Sequence, residues 1–556
     1  MATYVIVGGV AGGATAAARL RRLDETAHIV VLERGSYVSF ANCGLPYHIG
    51  GVIPQRESLL VSTPEKLKAE FNLDIRTGQE VVRIDRQAKE VEVREVEGGR
   101  TYRLAYDKLL LSPGAKPVVP RLPGTDLPDV YSLRSIPDMD AIKAAVDAGK
   151  VVNAVVVGGG FIGLEMVENL MARGVTVTLV ERLDQVMVAL DFEMAAMLHR
   201  QLREKGVHLR LGDGLKAIEP GQGGRLRVVL ASGKSVEGEM VVLAIGVRPE
   251  NDLARTAGLE LGPQGHIVVN DLLQTSDPDI YAVGDAIQVL NPVTGALTAV
   301  PLAGPANRQA RLAADNITGR ISRYQGTQGT AIVKVFDTVA ASVGANSRTL
   351  VQQGIPFLTS ITHGQDHVTY YPGAKPLAIK LLYAPADGVL LGAQAVGLGG
   401  IDRTIDVLAV AMKAGMTVYD LEHLELAYAP PFGAAKDPVN VAGFVASNRL
   451  RGDSETVEWR DIQNLDTSKD GILDVRTKPE WDAGHIPGAI HIPNTQLRRR
   501  LGELDKTRRW VVYCGVGRRA YVMERMLRQE GFQAANLSGG WTTYRAATEP
   551  QGSEPV

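Results

Sequence analysis

Cysteine is almost absent from this sequence: the 556-residue chain carries two, Cys43 and Cys514, and neither has a partner at CxxC or CxxxxC spacing. That excludes a local redox disulfide of the usual oxidoreductase kind, so any partner sulfur must come from outside the chain. The scarcity fits a reducing compartment, and a cytoplasmic location is the expectation. There is no excess of charge of either sign, and a formal net charge of -2 predicts no general attraction to nucleic acid or to a membrane surface. No uninterrupted apolar run reaches the roughly 18 residues of a spanning helix. The apolar stretch 4–18 is broken by glycines and lacks a preceding basic region, which marks a fold motif rather than a signal peptide. No metal site is expected. A chain of this length is expected to form roughly three or four domains, with material for several cores.

The first unit reads as a strand over 4–7, the turn Gly8-Gly9-Val10-Ala11-Gly12-Gly13, a helix over 14–23 and a strand over 29–32 ending at Glu33. Glycines let backbone amides approach a pyrophosphate at a helix N-terminus, and an acid about 20 residues on can accept from a ribose hydroxyl. Val10 replaces the second glycine of GxGxxG, so a purely structural α/β turn is the alternative reading. A second copy has the full pattern, with Gly158, Gly160 and Gly163 in the turn and a strand over 175–180 ending at Glu181. An acid at that tip favours the free 2′-hydroxyl of NADH, although Arg182 follows and leaves NADPH open.

Three further runs read as buried strands delivering small-residue turns: Leu109-Leu110-Leu111-Ser112-Pro113-Gly114, Val242-Leu243-Ala244-Ile245-Gly246, and Ile280-Tyr281-Ala282-Val283-Gly284-Asp285. Asp285 is placed to bond a flavin ribityl chain; taken alone it reads equally as a helix N-cap. Together these strings resemble the two-dinucleotide flavin reductases, in which the first turn holds FAD and the second, inserted unit holds the nicotinamide nucleotide. The segment Ser39-Phe40-Ala41-Asn42-Cys43-Gly44-Leu45-Pro46-Tyr47 resembles the single-cysteine branch of the pyridine nucleotide disulfide reductases. A thiolate near a helix start is stabilised by backbone dipoles and can attack sulfur, whereas the bland reading is a buried cysteine acting as a small hydrophobe.

The run that begins at 332 resembles the family's dimerisation domain and predicts a homodimer. Within it, the segments around His367-Val368-Thr369-Tyr370-Tyr371-Pro372 and Glu425-Leu426-Ala427-Tyr428 resemble the coenzyme A disulfide reductase branch. That resemblance implies that Tyr370 and Tyr428 serve a partner's thiol site, with Tyr371 as a rival for Tyr370. It also implies that Ala303 joins Gly8, Gly13, Glu33, Ser112, Gly114 and Asp285 around FAD. Gly158, Gly160, Gly163, Glu181 and Gly246 would hold the nicotinamide nucleotide. Thr15, Arg19, Arg22, Ser39, Asn42, Phe71, Asn307 and Arg308 would line a coenzyme A channel, where cationic donors suit phosphate. An exposed helical arginine pair, read on its own, is a solvated face.

A polar stretch ends near Asp453, and the sequence then restarts. Gly471-Ile472-Leu473-Asp474-Val475-Arg476, the run from Glu480 to His485, and Trp510-Val511-Val512-Tyr513-Cys514 resemble a complete rhodanese domain. The loop Cys514-Gly515-Val516-Gly517-Arg518-Arg519 is six residues long, as in sulfurtransferases. Successive amides in such a loop form an anion nest able to hold a persulfide, with Arg519 implied in catalysis.

The expected fold class is therefore α/β: two Rossmann-like dinucleotide-binding domains, an α+β dimerisation domain and a C-terminal α/β rhodanese domain. The expected limits are 1–115 and 247–325 for FAD, 116–246 for NAD(P)H, 326–450 for dimerisation, 451–458 for a linker and 459–550 for rhodanese. The resemblance implies NADH-driven, FAD-dependent reduction of coenzyme A persulfide or polysulfide, with coenzyme A disulfide as the alternative substrate. A peroxidase or oxidase cycling Cys43 through sulfenic acid is the other alternative.

Overall fold

The computed structural model describes residues 1–549. It divides into two compact units: 1–182 with 213–327, and 183–212 with 328 onward.

The first unit holds two parallel sheets. In the first, strand β1 (Thr3–Val7) leads through a short turn into helix α1 (Ala11–Leu23) and then strand β2 (His28–Glu33). β1 pairs with β2 on one side and with β3 (Lys108–Leu111) on the other, and the sheet is completed by Asp74–Thr77 beyond β2 and Ile280–Ala282 beyond β3. Because helices cover the faces of such a sheet, its central strands are apolar on both sides, and Val5, Ile6, Ile29, Val30, Leu109 and Leu110 are all buried. The second sheet repeats the plan with β4 (Asn153–Val157), helix α2 (Phe161–Met171) and β5 (Thr176–Val180), extended by Met240–Leu243 and Val130–Tyr131.

Helix α3 (Ala303–Ile317) packs along α1. Small buried residues on both helices, Ala16 and Ala17 on one and Ala310, Ala313 and Ala314 on the other, allow that close approach. Between the sheets' segments, Arg56 clamps Asp140 with two bonds of 2.9 and 2.8 Å, and the Arg173 guanidinium donates to the Ile49 carbonyl at 3.1 Å.

The second unit contains an antiparallel sheet of β6 (Ala331–Val335), β7 (Thr338–Gly344), β8 (Leu358–Gln365), β9 (Pro376–Tyr383) and β10 (Leu390–Gly397). Its order is β6-β7-β10-β9-β8, so β8 lies at one edge. Helix α4 (Pro438–Leu450) follows, capped by the Asp437 carboxylate accepting from Val439 N–H. The helix Phe192–Glu204 belongs to this unit, and Lys380 on β9 forms a buried cluster with Asp191 and Glu193 at its start.

The C-terminal part of this unit is a second α/β layer structure. Its strands are β11 (Thr456–Val457), β12 (Asp470–Asp474), β13 (Ile490–His491), β14 (Arg509–Tyr513) and β15 (Gln533–Leu537), all parallel in the order β11-β15-β14-β12-β13. Helix α5 (Arg518–Gln529) connects β14 to β15, and α6 (Gly540–Thr548) follows β15. Trp510, Val512, Leu473 and Leu527 form its core on one face. Among the described residues, no helix is long and apolar enough to cross a membrane.

Candidate functional site

Two glycine cradles face the C-terminal ends of β1 and β4, where parallel sheets bind ligands. In each, the third glycine of the motif touches the first turn: a Cβ on Gly13 would stand 1.8 Å from the Gly8 carbonyl oxygen, and one on Gly163 would stand 1.9 Å from that of Gly158. No side chain fits there, which is why the spacing is strict. Neither α1 nor α2 has an acid in its first turn, so the positive end of each helix is left for an anionic ligand. The acid at each strand tip is tied to its cradle. Gly9 N–H donates to Glu33 Oε2 at 2.8 Å, and Gly159 N–H donates to Glu181 Oε2 at 2.7 Å.

Ser112 closes the first cradle, taking its N–H to the Val7 carbonyl at 2.8 Å, and Gly114 adopts the left-handed φ of +72° beyond it. Asp285 lies in the turn Gly284–Ala286 after Ile280–Ala282, and burial raises its pKa while Arg134 partly offsets that. Ala303 begins α3 beside these groups. The first cradle, Ser112 and the Asp285 carboxylate thus make a set of donors and acceptors that fits a flavin dinucleotide.

Cys43 sits in the 3-10 turn Asn42–Gly44 immediately before the short helix Leu45–Ile49. Its N–H donates to Asn42 Oδ1 at 3.1 Å, and its Sγ lies 3.7 Å from the same oxygen. Ser39 holds the preceding loop against the cradle: its N–H donates to the Gly9 carbonyl at 2.9 Å, and its φ is +46°. The residue is solvent-accessible, yet the packed protein around the thiol, then Glu165 and Asp285, push its pKa above the usual cysteine value. The expected stabilisation of the thiolate by a helix start is therefore outweighed among the protein groups, first by burial of the thiol and then by the charges of Glu165 and Asp285, against a helix of a single turn.

One of those carboxylates escapes sequence reasoning. Glu165 lies in the second turn of α2, and Tyr47 donates to its Oε1 at 3.3 Å. Burial raises Glu165 to about 7, partly countered by the Tyr47 hydrogen bond, and Tyr47 itself is pushed up to about 12, chiefly by burial. The only one-dimensional signal is its place two residues after Gly163.

The expected coenzyme A residues divide. Thr15 Oγ1 donates to Asn307 Oδ1 at 2.7 Å, joining two of them, and Arg22 lies over the Phe71 ring at 5.9 Å, joining two more. Arg308 is exposed on α3. Arg19 is held by Asp315, with Nε–Oδ1 at 2.9 Å and NH2–Oδ1 at 2.7 Å, so its charge already has a partner on α3.

In the second unit, the Tyr370 and Tyr428 hydroxyls are 2.8 Å apart, and Tyr370 is 72% exposed. Tyr371 instead turns its ring edge to His367. The hydrogen bond between the two hydroxyls raises the Tyr370 pKa. A cavity of about 200 Å³ adjoins this segment, lined in part by His367, Arg403, Phe432 and Asp437.

Cys514 is buried at the end of β14, where the six-residue loop turns into α5 through Gly517 at φ +93°. The carbonyls of the loop are held from behind: Trp541 N–H donates to Cys514 O at 2.8 Å, and Thr542 N–H to Gly515 O at 2.9 Å. With its carbonyls engaged there, the loop can turn its amides to the opposite side. Arg519 is bonded by Glu480 at 2.6 and 2.9 Å, which drops Glu480 to about 2, and Cys514 contributes to raising the Arg519 pKa. The role of Glu480 in aiming Arg519 is a second feature the sequence leaves unread.

Comparison with known proteins adds three matches. Residues 2–309 match the family described as pyridine nucleotide-disulphide oxidoreductase, residues 330–437 its dimerisation domain, and residues 460–547 the rhodanese-like domain. A coenzyme A disulfide reductase of Staphylococcus aureus is 36% identical over 447 residues, covering 80% of this chain and 100% of that protein. The crystal structure of reduced Bacillus anthracis CoADR-RHD is 48% identical with a TM-score of 0.96, covering 98% of both chains. A NAD-dependent persulfide reductase from A. fulgidus is 37% identical with a TM-score of 0.92, covering 98% of this chain and 100% of that one.

Proposed function

This chain belongs to the pyridine nucleotide-disulphide oxidoreductase family, and from that premise we propose that it is an NADH-driven reductase of coenzyme A persulfide or polysulfide. The family implies an enzyme that uses FAD and a nicotinamide nucleotide, with the dimerisation domain suggesting a homodimer. When bound, the flavin would supply two electrons, taken from the nicotinamide, to a mixed disulfide at Cys43.

The chain's own residues do the rest. The Cys43 thiolate attacks the coenzyme A-bound sulfur of a persulfide; the new Cys43–coenzyme A disulfide forms as the terminal S–S bond breaks and hydrosulfide leaves. Two electrons and a proton then return the Cys43 thiolate and free coenzyme A. A mixed disulfide with the substrate explains why one cysteine suffices. Tyr370 and Tyr428 supply phenolic hydroxyls to a departing thiolate. Glu33 and Glu181 accept from ribose, residues 1–115 and 247–325 form the FAD-binding part and 116–246 the nicotinamide-binding part. Cys514 loads sulfane sulfur onto coenzyme A or passes it toward Cys43.

The single observation that carries this reading is the pairing, in one chain, of an accessible Cys43 beside a dinucleotide cradle with a Cys514 loop whose carbonyls are engaged from behind. Similarity to the A. fulgidus persulfide reductase supports it. Similarity to the S. aureus protein favours coenzyme A disulfide as the second reading. Steady-state NADH oxidation with coenzyme A persulfide, coenzyme A disulfide and peroxide, with sulfide measured, tests the proposal. Higher catalytic efficiency with the disulfide, or turnover with peroxide alone, overturns it.

A further inference from the structure

The loop that carries Cys514 rests on the start of α6, which in turn meets a strand outside its own domain. Directly behind it lies the turn Gly539-Gly540, both at left-handed φ, +67° and +59°. A Cβ on Gly540 would stand 2.5 Å from Cys514 O and 2.8 Å from Gly517 N, so the turn is pressed against the loop backbone. The next two amides, Trp541 and Thr542, are those that hold the Cys514 and Gly515 carbonyls. The position of α6 therefore sets the position of the loop.

The helix Phe192–Glu204 packs along α6, and the start of α6 is met by β8, the edge strand of the dimerisation sheet. Ile361 N–H donates to Ser538 Oγ at 3.2 Å, and His363 Nε2 makes a 2.8 Å hydrogen bond with Thr543 Oγ1. A Cβ on Gly539 would stand 2.1 Å from Thr543 Oγ1 and 3.0 Å from Ile361 Cγ2, so strand, turn and helix meet at one point. Thr543 is fully buried and Ser538 nearly so. Burial holds the His363 ring neutral, its pKa pushed down to about 4, so the bond to Thr543 is unchanged through the neutral pH range.

We propose that His363 and Thr543 are positioning residues for sulfur transfer at Cys514: the β8 edge holds the start of α6, and α6 holds the loop carbonyls so that its amides face the carried sulfur. The proposal rests on the reading of Cys514 as a sulfur-transfer thiol. Neither residue touches the sulfur; both act through the amides of Trp541 and Thr542. The dimerisation domain thereby becomes part of the machinery of the rhodanese domain.

The test uses the full-length protein with FAD, thiosulfate as sulfane donor and cyanide as acceptor. His363→Leu and Thr543→Val are expected to lower kcat about tenfold, the scale of one lost buried hydrogen bond, with KM for thiosulfate unchanged. His363→Gln and Thr543→Ser, which keep a polar group in reach, are expected to restore most of it. Amide hydrogen exchange at Trp541 and Thr542 is expected to quicken about tenfold in the first pair only. NADH-dependent reduction of coenzyme A disulfide, measured on the same samples, reports whether each variant is folded. Unchanged exchange at Trp541 and Thr542 in His363→Leu overturns the proposal, as does a Thr543→Ser variant as impaired as Thr543→Val, which would make the role one of packing. Transfer that survives Cys514→Ser overturns the reading of Cys514 itself, and the exchange measurement separates that result from a failure of the coupling.

Discussion

Tyr47, four residues beyond Cys43, donates its hydroxyl to Glu165 on the helix of the second cradle at 3.3 Å. The bond joins the cysteine segment to the helix that follows the second cradle, and burial there raises Glu165 to about 7.

A pH dependence follows. Below about pH 4.5 the Glu165 carboxyl is protonated in both folded and unfolded chains and has no effect. Between 4.5 and about 7 the folded chain binds more protons, so stability falls as pH rises through that window and levels off above it. The loss is at most about 3 kcal/mol. Denaturant unfolding of the wild type and of Glu165→Gln at pH 5 and pH 8 is expected to show a smaller pH difference in the variant. Equal pH differences would mean that the carboxyl titrates normally.

Flavin retention should depend on the first cradle and Asp285 together. The purified protein is expected to be yellow, and Asp285→Ala to lose flavin on dilution at least about tenfold more readily, the scale of one hydrogen bond to a charged acceptor. Visible absorbance after gel filtration reads this directly.

Glu181 should set nicotinamide choice. Its carboxylate can accept from a ribose 2′-hydroxyl and repels a 2′-phosphate, so NADH is the expected donor. Glu181→Ala is expected to narrow the ratio of NADH to NADPH catalytic efficiency by about tenfold. A wild-type enzyme that prefers NADPH would refute the assignment.

The two thiols should separate by assay. Cys43→Ser is expected to abolish NADH-dependent reduction of coenzyme A persulfide while NADH still bleaches the flavin, because thiol chemistry comes second. Cys514→Ser is expected to spare reduction of directly supplied persulfide and to lose transfer from a sulfane donor. If Cys514→Ser eliminates direct persulfide reduction as completely as Cys43→Ser does, the two sites form one obligatory relay.

The two cradles, the cysteine segment and the rhodanese loop were legible because each is a local pattern with a local cause. Gly13 and Gly163 stand against a carbonyl where only hydrogen fits, so the spacing in sequence carries the geometry. Arg19 illustrates the limit. Its helix position suggests a phosphate ligand, but the carboxylate that engages it, Asp315, belongs to α3 far along the chain. Glu165 was missed for the same reason, since its raised pKa arises chiefly from burial in the folded chain, with Glu168 three residues on adding less and the Tyr47 hydrogen bond opposing it. The Cys43 environment shows a local cue overruled: a helix start is visible in the sequence, whereas the carboxylates facing the thiol are brought there by folding. Tyr370 and Tyr371 are equivalent in sequence, and the structure distinguishes them by turning only Tyr370 to Tyr428.

The bond from Ile361 to Ser538 has a consequence for solubility. Strand β8 ends its sheet, and an uncovered outer strand is a template on which foreign strands can add and aggregates can grow. Here the C-terminal domain shields that template by lending a serine hydroxyl to the Ile361 amide and packing Gly539 against its side chain. Loss of the C-terminal domain would therefore do more than remove the Cys514 loop, because it would leave the remaining body adhesive along one strand.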